Sequence, residues 1–256
     1  MTSRVCRVPA ATRARRPTRL RIMLVAAAVC PCPPLLVPEV AAGAAPELDA
    51  LRAACLDAVA VLAAARPDRL VVVGPAAAPG PYPHGAAGSF RSFGVDVDVR
   101  LGPGEPTGER ELPQALAVAA WLLGRTSWST APVEGLGVDE PLDAARCLET
   151  GRELAAGAER VAVLAMGDGS ACRTLKAPGY LDDRAAAFDA GAARALSSAD
   201  TTALAALDPE LARELKAAGR APWQVLAGAA EGAGLAGQLL YDDAPYGVGY
   251  FVASWS

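Results

Sequence analysis

The sequence predicts an α/β fold, a three-layer domain with a mostly parallel central sheet and helices on both faces. Three observations carry that expectation. Leu24–Val29, Arg69–Gly74 and Val161–Met166 are short, nearly unbroken apolar runs without the alternation of a half-solvated strand, so each reads as a strand covered on both faces. Each run ends in a Pro- or Gly-rich polar turn, and a helical pattern separates the first two, which makes a right-handed crossover and a parallel pair the natural connection. The composition is 52% hydrophobic but only 5% aromatic, which suits alanine-rich helices lying close on a sheet and argues against disorder.

A chain of 256 residues can bury one substantial core, and nothing in it marks a boundary between two domains of ordinary size. The expected organisation is one domain over residues 23–256. Residues 1–22 are expected to be a disordered tail or an upstream start ahead of Met23, since they hold seven arginines and no acid. Subtracting those seven from the net charge of −4 leaves the remainder near −11, a poor match for nucleic acid or an anionic membrane. An arginine-rich start before Ile22–Cys30 also resembles an export signal, and Arg15-Arg16 a twin-arginine one. The apolar run nevertheless enters Pro31-Cys32-Pro33-Pro34 with no small-residue cleavage site, so the first strand is the preferred reading. No apolar stretch reaches the length of a membrane span. Six scattered cysteines in a chain this size are expected to be reduced thiols, and the protein to be cytoplasmic. Cys30-Pro-Cys32 is a weak metal signal, because no second pair has zinc-site spacing.

In chain order, Pro46 to Ala65 has leucine and valine at helical spacing and reads as a helix with Pro46 in its first turn. Pro75 to Gly88 is a Pro/Gly/Ala loop that holds the only histidine, His84. Gly94–Leu101 alternates valines with Asp96, Asp98 and Arg100, the pattern of a strand with one wet face. Asp96 and Asp98 could pair on a cation, but a solvated face is the simpler reading. Leu112–Leu123, Pro141–Ala156, Tyr180–Leu196, Thr201–Leu207, Pro209–Ala218 and Pro222–Glu231 read as helices, with Asp208 an N-cap before Pro209. Gly237–Tyr241 and Val248–Ser254 read as two closing strands joined by a turn.

The stretch most suggestive of a site is Val161–Arg173, where a buried strand delivers Gly167-Asp168-Gly169-Ser170 to the carboxyl edge of the sheet, the edge at which open α/β sheets bind ligands. The cleft candidates are Cys32, Pro33, His84, Asp168, Ser170 and Arg173. A Ser170/His84/Asp168 triad lacks the G-x-S-x-G elbow, and Gly232-Ala-Gly234-Leu-Ala-Gly237 follows a helix instead of a strand, so it reads as a linker. One histidine cannot supply a site that needs two imidazoles.

Three stretches taken together, PCPPLLVPEV (31–40), VLAMGDGSACR (163–173) and LLYDDAPYGVGYFVAS (239–254), resemble the class III extradiol ring-cleavage dioxygenases of the B-subunit, or LigB-like, family and its Memo-related branch. The resemblance runs from about residue 24 to the end. It implies a non-haem Fe(II) held by two histidines and a glutamate, with a third histidine as acid/base. This chain departs from the pattern at each of those positions. Cys32 stands at the first histidine, Ala76 at the second, Ala171 in place of the acid/base, and Ala217 nearest the glutamate, with Glu214 an alternative for the last. The expectation is therefore a degenerate member without bound iron or another cofactor. It is expected to hold a small molecule or partner in the former active-site cleft, and a homo- or hetero-oligomer is left open. The alternative is a divergent enzyme using Cys32, Asp168, Ser170 or His84 in new roles.

Overall fold

The computed structural model describes residues 24–156 and 160–256. The sequence expectations for residues 1–22 and for Met23 lie outside them.

A seven-stranded sheet forms the middle layer, with spatial order β3-β6-β2-β7-β1-β9-β8. The strands are β1 (Leu24–Cys30), β2 (Arg69–Pro75), β3 (Gly80–Tyr82), β6 (Val133–Val138), β7 (Val161–Met166), β8 (Gly237–Asp243) and β9 (Tyr250–Trp255); β4 (Ala87–Ser89) and β5 (Asp98–Arg100) form a separate two-stranded ribbon. The four central strands β6, β2, β7 and β1 are mutually parallel, while β3, β9 and β8 join antiparallel at the two ends. The α-helices among the described residues are α1 (Pro38–Ala41), α2 (Asp49–Ala64), α3 (Gln114–Arg125), α4 (Ala144–Ala155), α5 (Ala185–Ser197), α6 (Thr201–Ala205), α7 (Pro209–Glu214) and α8 (Arg220–Ala229).

Pleating explains the unbroken apolar runs. In β7, Ala162, Leu164 and Met166 enter one core with α2 and α3, whereas Val161, Val163 and Ala165 enter the opposite core with α5 and α8. Successive side chains point to opposite faces, and both faces are covered, so both phases of the alternation must be apolar. β1 and β2 divide in the same way. No helix among the described residues is long and apolar enough to cross a membrane.

Some expectations change in detail. Pro46 sits inside a 3-10 segment, Ala42–Leu48, and the α-helix begins only at Asp49. The alternating segment Gly94–Leu101 shrinks to the three residues of β5, because Arg91 binds both Asp96 and Asp98, each at 2.8 Å, and draws the preceding residues into a turn. Those two carboxylates are thus taken up by a guanidinium. β6, with sequence VEGLGV, is a strand the sequence reading misses. Its glycines suppress the strand signal, yet Gly135 is where Leu101, Leu116 and Tyr82 close on the backbone, within 2.9–3.1 Å of where a Cβ would stand.

Candidate functional site

Because β1, β2, β6 and β7 run parallel, the loops that follow them leave the sheet at one edge and surround a single cleft of about 600 Å³. Its lining combines Cys32 after β1, Ala76 after β2, Asp139 and Glu140 after β6, and Asp168 after β7, with Gln114 from the start of α3. This is the crevice outside the carboxyl ends of parallel strands. Two grooves of similar size, about 570 and 580 Å³, lie beside β4 and β5, where Arg91 pairs with Asp98 and Ser89 donates to Glu111.

The floor of the cleft is backbone-locked. A Cβ on Gly167 would strike the Gly219 Cα and one on Gly219 would strike the Trp223 ring, and the Gly219 N–H donates to the Asp168 carbonyl at 2.8 Å. Gly169 and Gly249 likewise tie the loop after β7 to the approach to β9, with the Gly169 N–H donating to the Gly249 carbonyl at 2.7 Å. Only residues without a side chain allow backbones this near.

Within that frame, Asp168 Oδ1 accepts the Cys32 N–H at 2.7 Å, which joins the loops after β7 and β1. Gln114 Nε2 donates to the Cys32 carbonyl at 3.1 Å. Burial pushes the Asp168 carboxyl up to about 6, against the downward pull of its hydrogen bonds from Cys32. The thiol of Cys32 is only 4% exposed and is held well above its ordinary range, first by burial and then by the charges of Asp168 and Glu140. A thiol raised in this way is a protonated, inert group at neutral pH, since the thiolate is the nucleophile. Asp168, by contrast, can take or give a proton near neutrality.

The remaining expected site residues divide. Ser170 is buried behind the cleft, its N–H and Oγ donating to the two oxygens of Asp189 at 2.8 and 2.7 Å, and Arg173 adds a third donor to Asp189 at 3.0 Å. Asp189 escapes the sequence reading, although an acid within the apolar stripe of α5, among Ala185, Phe188, Ala192 and Ala193, is the signal that would have found it. Pro33 is buried and opens a 3-10 turn, Pro34–Leu36. His84 does not join them. β3 runs antiparallel to β6 and delivers it to the amino edge, where its ring accepts the Val133 N–H at 3.1 Å and contacts the Pro103 carbonyl at 2.9 Å. The five strand steps from Val133 to Val138 put it about 17 Å from the cleft edge. No Ser170/His84/Asp168 triad is assembled.

The same placement tests the fit of an Fe(II) centre. Ala76 and Cys32 line the cleft, while Ala217 stands in the loop beside Ala218, which also lines it. Glu214 turns away to an exposed ion pair with Arg184 at 2.7 Å. With the only imidazole at the far edge, and no group of three or more His, Cys, Asp or Glu side chains suited to a metal among the described residues, the donor set does not fit the two-histidine, one-carboxylate iron site. The described cysteines, Cys30, Cys32, Cys55, Cys147 and Cys172, are all free thiols, so Cys30 and Cys32 form no bridge.

No family model matches the chain, and no curated protein matches it. Among solved structures, it is similar to the crystal structure of the uncharacterized protein JW3007 from Escherichia coli K12. The two share 13% identity over 91% of this chain and 100% of that one, with a TM-score of 0.57. At that identity the likeness shows the fold alone: α/β, with a mostly parallel central sheet.

Proposed function

We propose that this protein is a degenerate, LigB-like relative of the extradiol dioxygenases that binds a small molecule without catalysing ring cleavage. One observation carries the reading. The stretches on which the resemblance rests converge on one place, Cys32 hydrogen-bonding Asp168 at the cleft and Gly169 hydrogen-bonding Gly249 behind it, while the positions that would carry the iron ligands hold Cys32, Ala76 and Ala217. The framework that shapes a pocket is retained and the groups that would do the chemistry are not, and function follows the site instead of the fold. A cytoplasmic setting fits the free thiols.

The test is anaerobic purification followed by metal analysis, dioxygen-uptake assays on catechols, and mass spectrometry of bound small molecules. The expected result is no stoichiometric iron, no catechol cleavage, and an organic ligand released on denaturation. Near-stoichiometric Fe(II) with dioxygen uptake that disappears in Cys32→Ala would overturn the proposal.

A second reading is favoured by one specific observation, the carboxyl of Asp168 poised at about 6 in a cleft. In it, Asp168 serves as general acid/base in an enzyme of altered type. A turnover whose pH profile breaks near 6 and is lost in Asp168→Asn would establish that role.

A further inference from the structure

Resting on the reading of the carboxyl-edge cleft as a ligand site, we propose that its ligand is a small organic cation. The charged end is a primary ammonium or a guanidinium received by Asp168 and Glu140, and the aliphatic body lies on alanine and proline. The lining contributes three carboxylates, Asp139, Glu140 and Asp168, and no lysine, arginine or histidine. The rest of the wall is nearly all alanine and proline, without an aromatic ring.

The charge on the floor is uncompensated. The carboxylate of Asp168 accepts from the Cys32 N–H, and the titratable groups that act with it are the buried thiols of Cys32 and Cys55 and the buried phenol of Tyr250, with Glu140 beside Cys32. All of these are neutral or negative at neutral pH. The donors of the neighbouring guanidinium groups are spent outside the cavity, those of Arg110 on the Ala78 carbonyl and the Tyr82 hydroxyl. Arg220 donates to the carbonyls of Glu140 and Leu142 and to Gln224, and Arg173 donates to Asp189. A carboxylate or phosphate entering this cleft would meet three carboxylates and no cationic side chain in the lining, whereas a cation supplies the missing partner.

The form of the cation also follows from the lining. A bare divalent metal needs a convergent donor set, and the described residues offer none. A quaternary ammonium has no N–H to donate and depends on aromatic faces, which the lining lacks. An ammonium or guanidinium brings its own donors. Gln114 is oriented to receive one: its Nε2 is spent on the Cys32 carbonyl, which leaves Oε1 as an acceptor. A volume of about 600 Å³ falls within the range of small-molecule pockets.

The experiment titrates the full chain with n-butylamine, 1,4-diaminobutane, butyrate and n-butyltrimethylammonium by calorimetry. The two amines are expected to bind, butyrate to give no heat, and the quaternary probe to bind about tenfold more weakly or not at all. Asp168→Asn keeps an oxygen for the Cys32 N–H and removes the charge, so it should weaken amine binding about tenfold or more while the protein stays folded. Glu140→Gln, at an exposed position, should weaken it about threefold. Amine affinity should fall as pH drops through about 6, where Asp168 takes up its proton. Ala77→Trp, at an exposed lining position, fills the cleft and separates the two readings. Binding of butyrate, or of a co-purified anion, that Ala77→Trp abolishes would overturn the cation while leaving the cleft a ligand site. Amine binding indifferent to Asp168→Asn and Glu140→Gln would overturn it equally. If neither the amines nor any co-purified molecule respond to Ala77→Trp, the cleft reading itself fails.

Discussion

Asp168 and Asp189 flank the same glycine, Gly169, yet the structure treats the two carboxylates oppositely. Asp189 is fully enclosed and saturated, with two donors from Ser170 and a guanidinium from Arg173. Asp168 has donors from one residue only, no cation, and a face open to the cleft. The difference teaches which half of the Gly-Asp-Gly-Ser loop is architecture. A carboxylate whose charge is answered inside the protein holds the loop in place, and one whose charge is left unanswered is available to something from outside.

The largest break in that comparison is Asp189→Ala. Removing the buried acceptor strands the Arg173 guanidinium and two Ser170 donors, and losing one member of a buried pair costs about 3–5 kcal/mol. Urea denaturation should show most of the domain's margin gone; a loss below about 1 kcal/mol would mean that the network is not the anchor.

Asp168→Asn should move stability the other way. The folded carboxyl sits at about 6, above its ordinary 3.8, so its ionisation opposes folding. The wild type therefore keeps its full share of stability below about pH 4 and loses it as pH rises through 6. The variant escapes that loss and should be more stable by up to about 3 kcal/mol at pH 8, with the gap closing at acid pH. Thermal melts at pH 4 and pH 8 measure it, and a gap equal at both would place the carboxyl in water.

Ser170→Ala removes one hydroxyl donor from Asp189 and should cost about 1–2 kcal/mol while leaving amine binding untouched. Loss of binding with stability intact would move Ser170 from architecture into the ligand site. The smallest effect belongs to Glu214→Ala. Its partner Arg184 is exposed and also pairs with Asp182, so the change should stay within about 0.5 kcal/mol and leave metal content unaltered.

The fold was legible where burial on both faces wrote itself into unbroken apolar runs. β7 has the expected bounds, and β1 and β2 differ from theirs by one residue each. β6 was illegible because contact with Leu101, Leu116 and Tyr82 demands glycine at its centre, and glycine reads as loop. Missing β6 also hid Asp139 and Glu140, which acquire a role only as the residues that follow a strand. The edge of the sheet that carries the cleft could be read from Asp168 and Cys32. Which side chains turn into it could not: two residues beyond Asp168, Ser170 faces the opposite way, toward a helix acid 19 positions later in the chain. His84 was misplaced because the three residues of β3, too few to show a period, carry it from one edge of the sheet to the other.

The contact of Gly167 with Gly219 bears on how such a pocket changes over time. Part of its frame is fixed by two backbones, while the side chains of Asp168 and Gln114 hold the Cys32 loop against it. The wall away from Asp168 and Gln114 can therefore change one residue at a time without disturbing that contact. In the laboratory, the same property makes the exposed Ala77 and Glu140 sites for recombination libraries, with both glycines held constant.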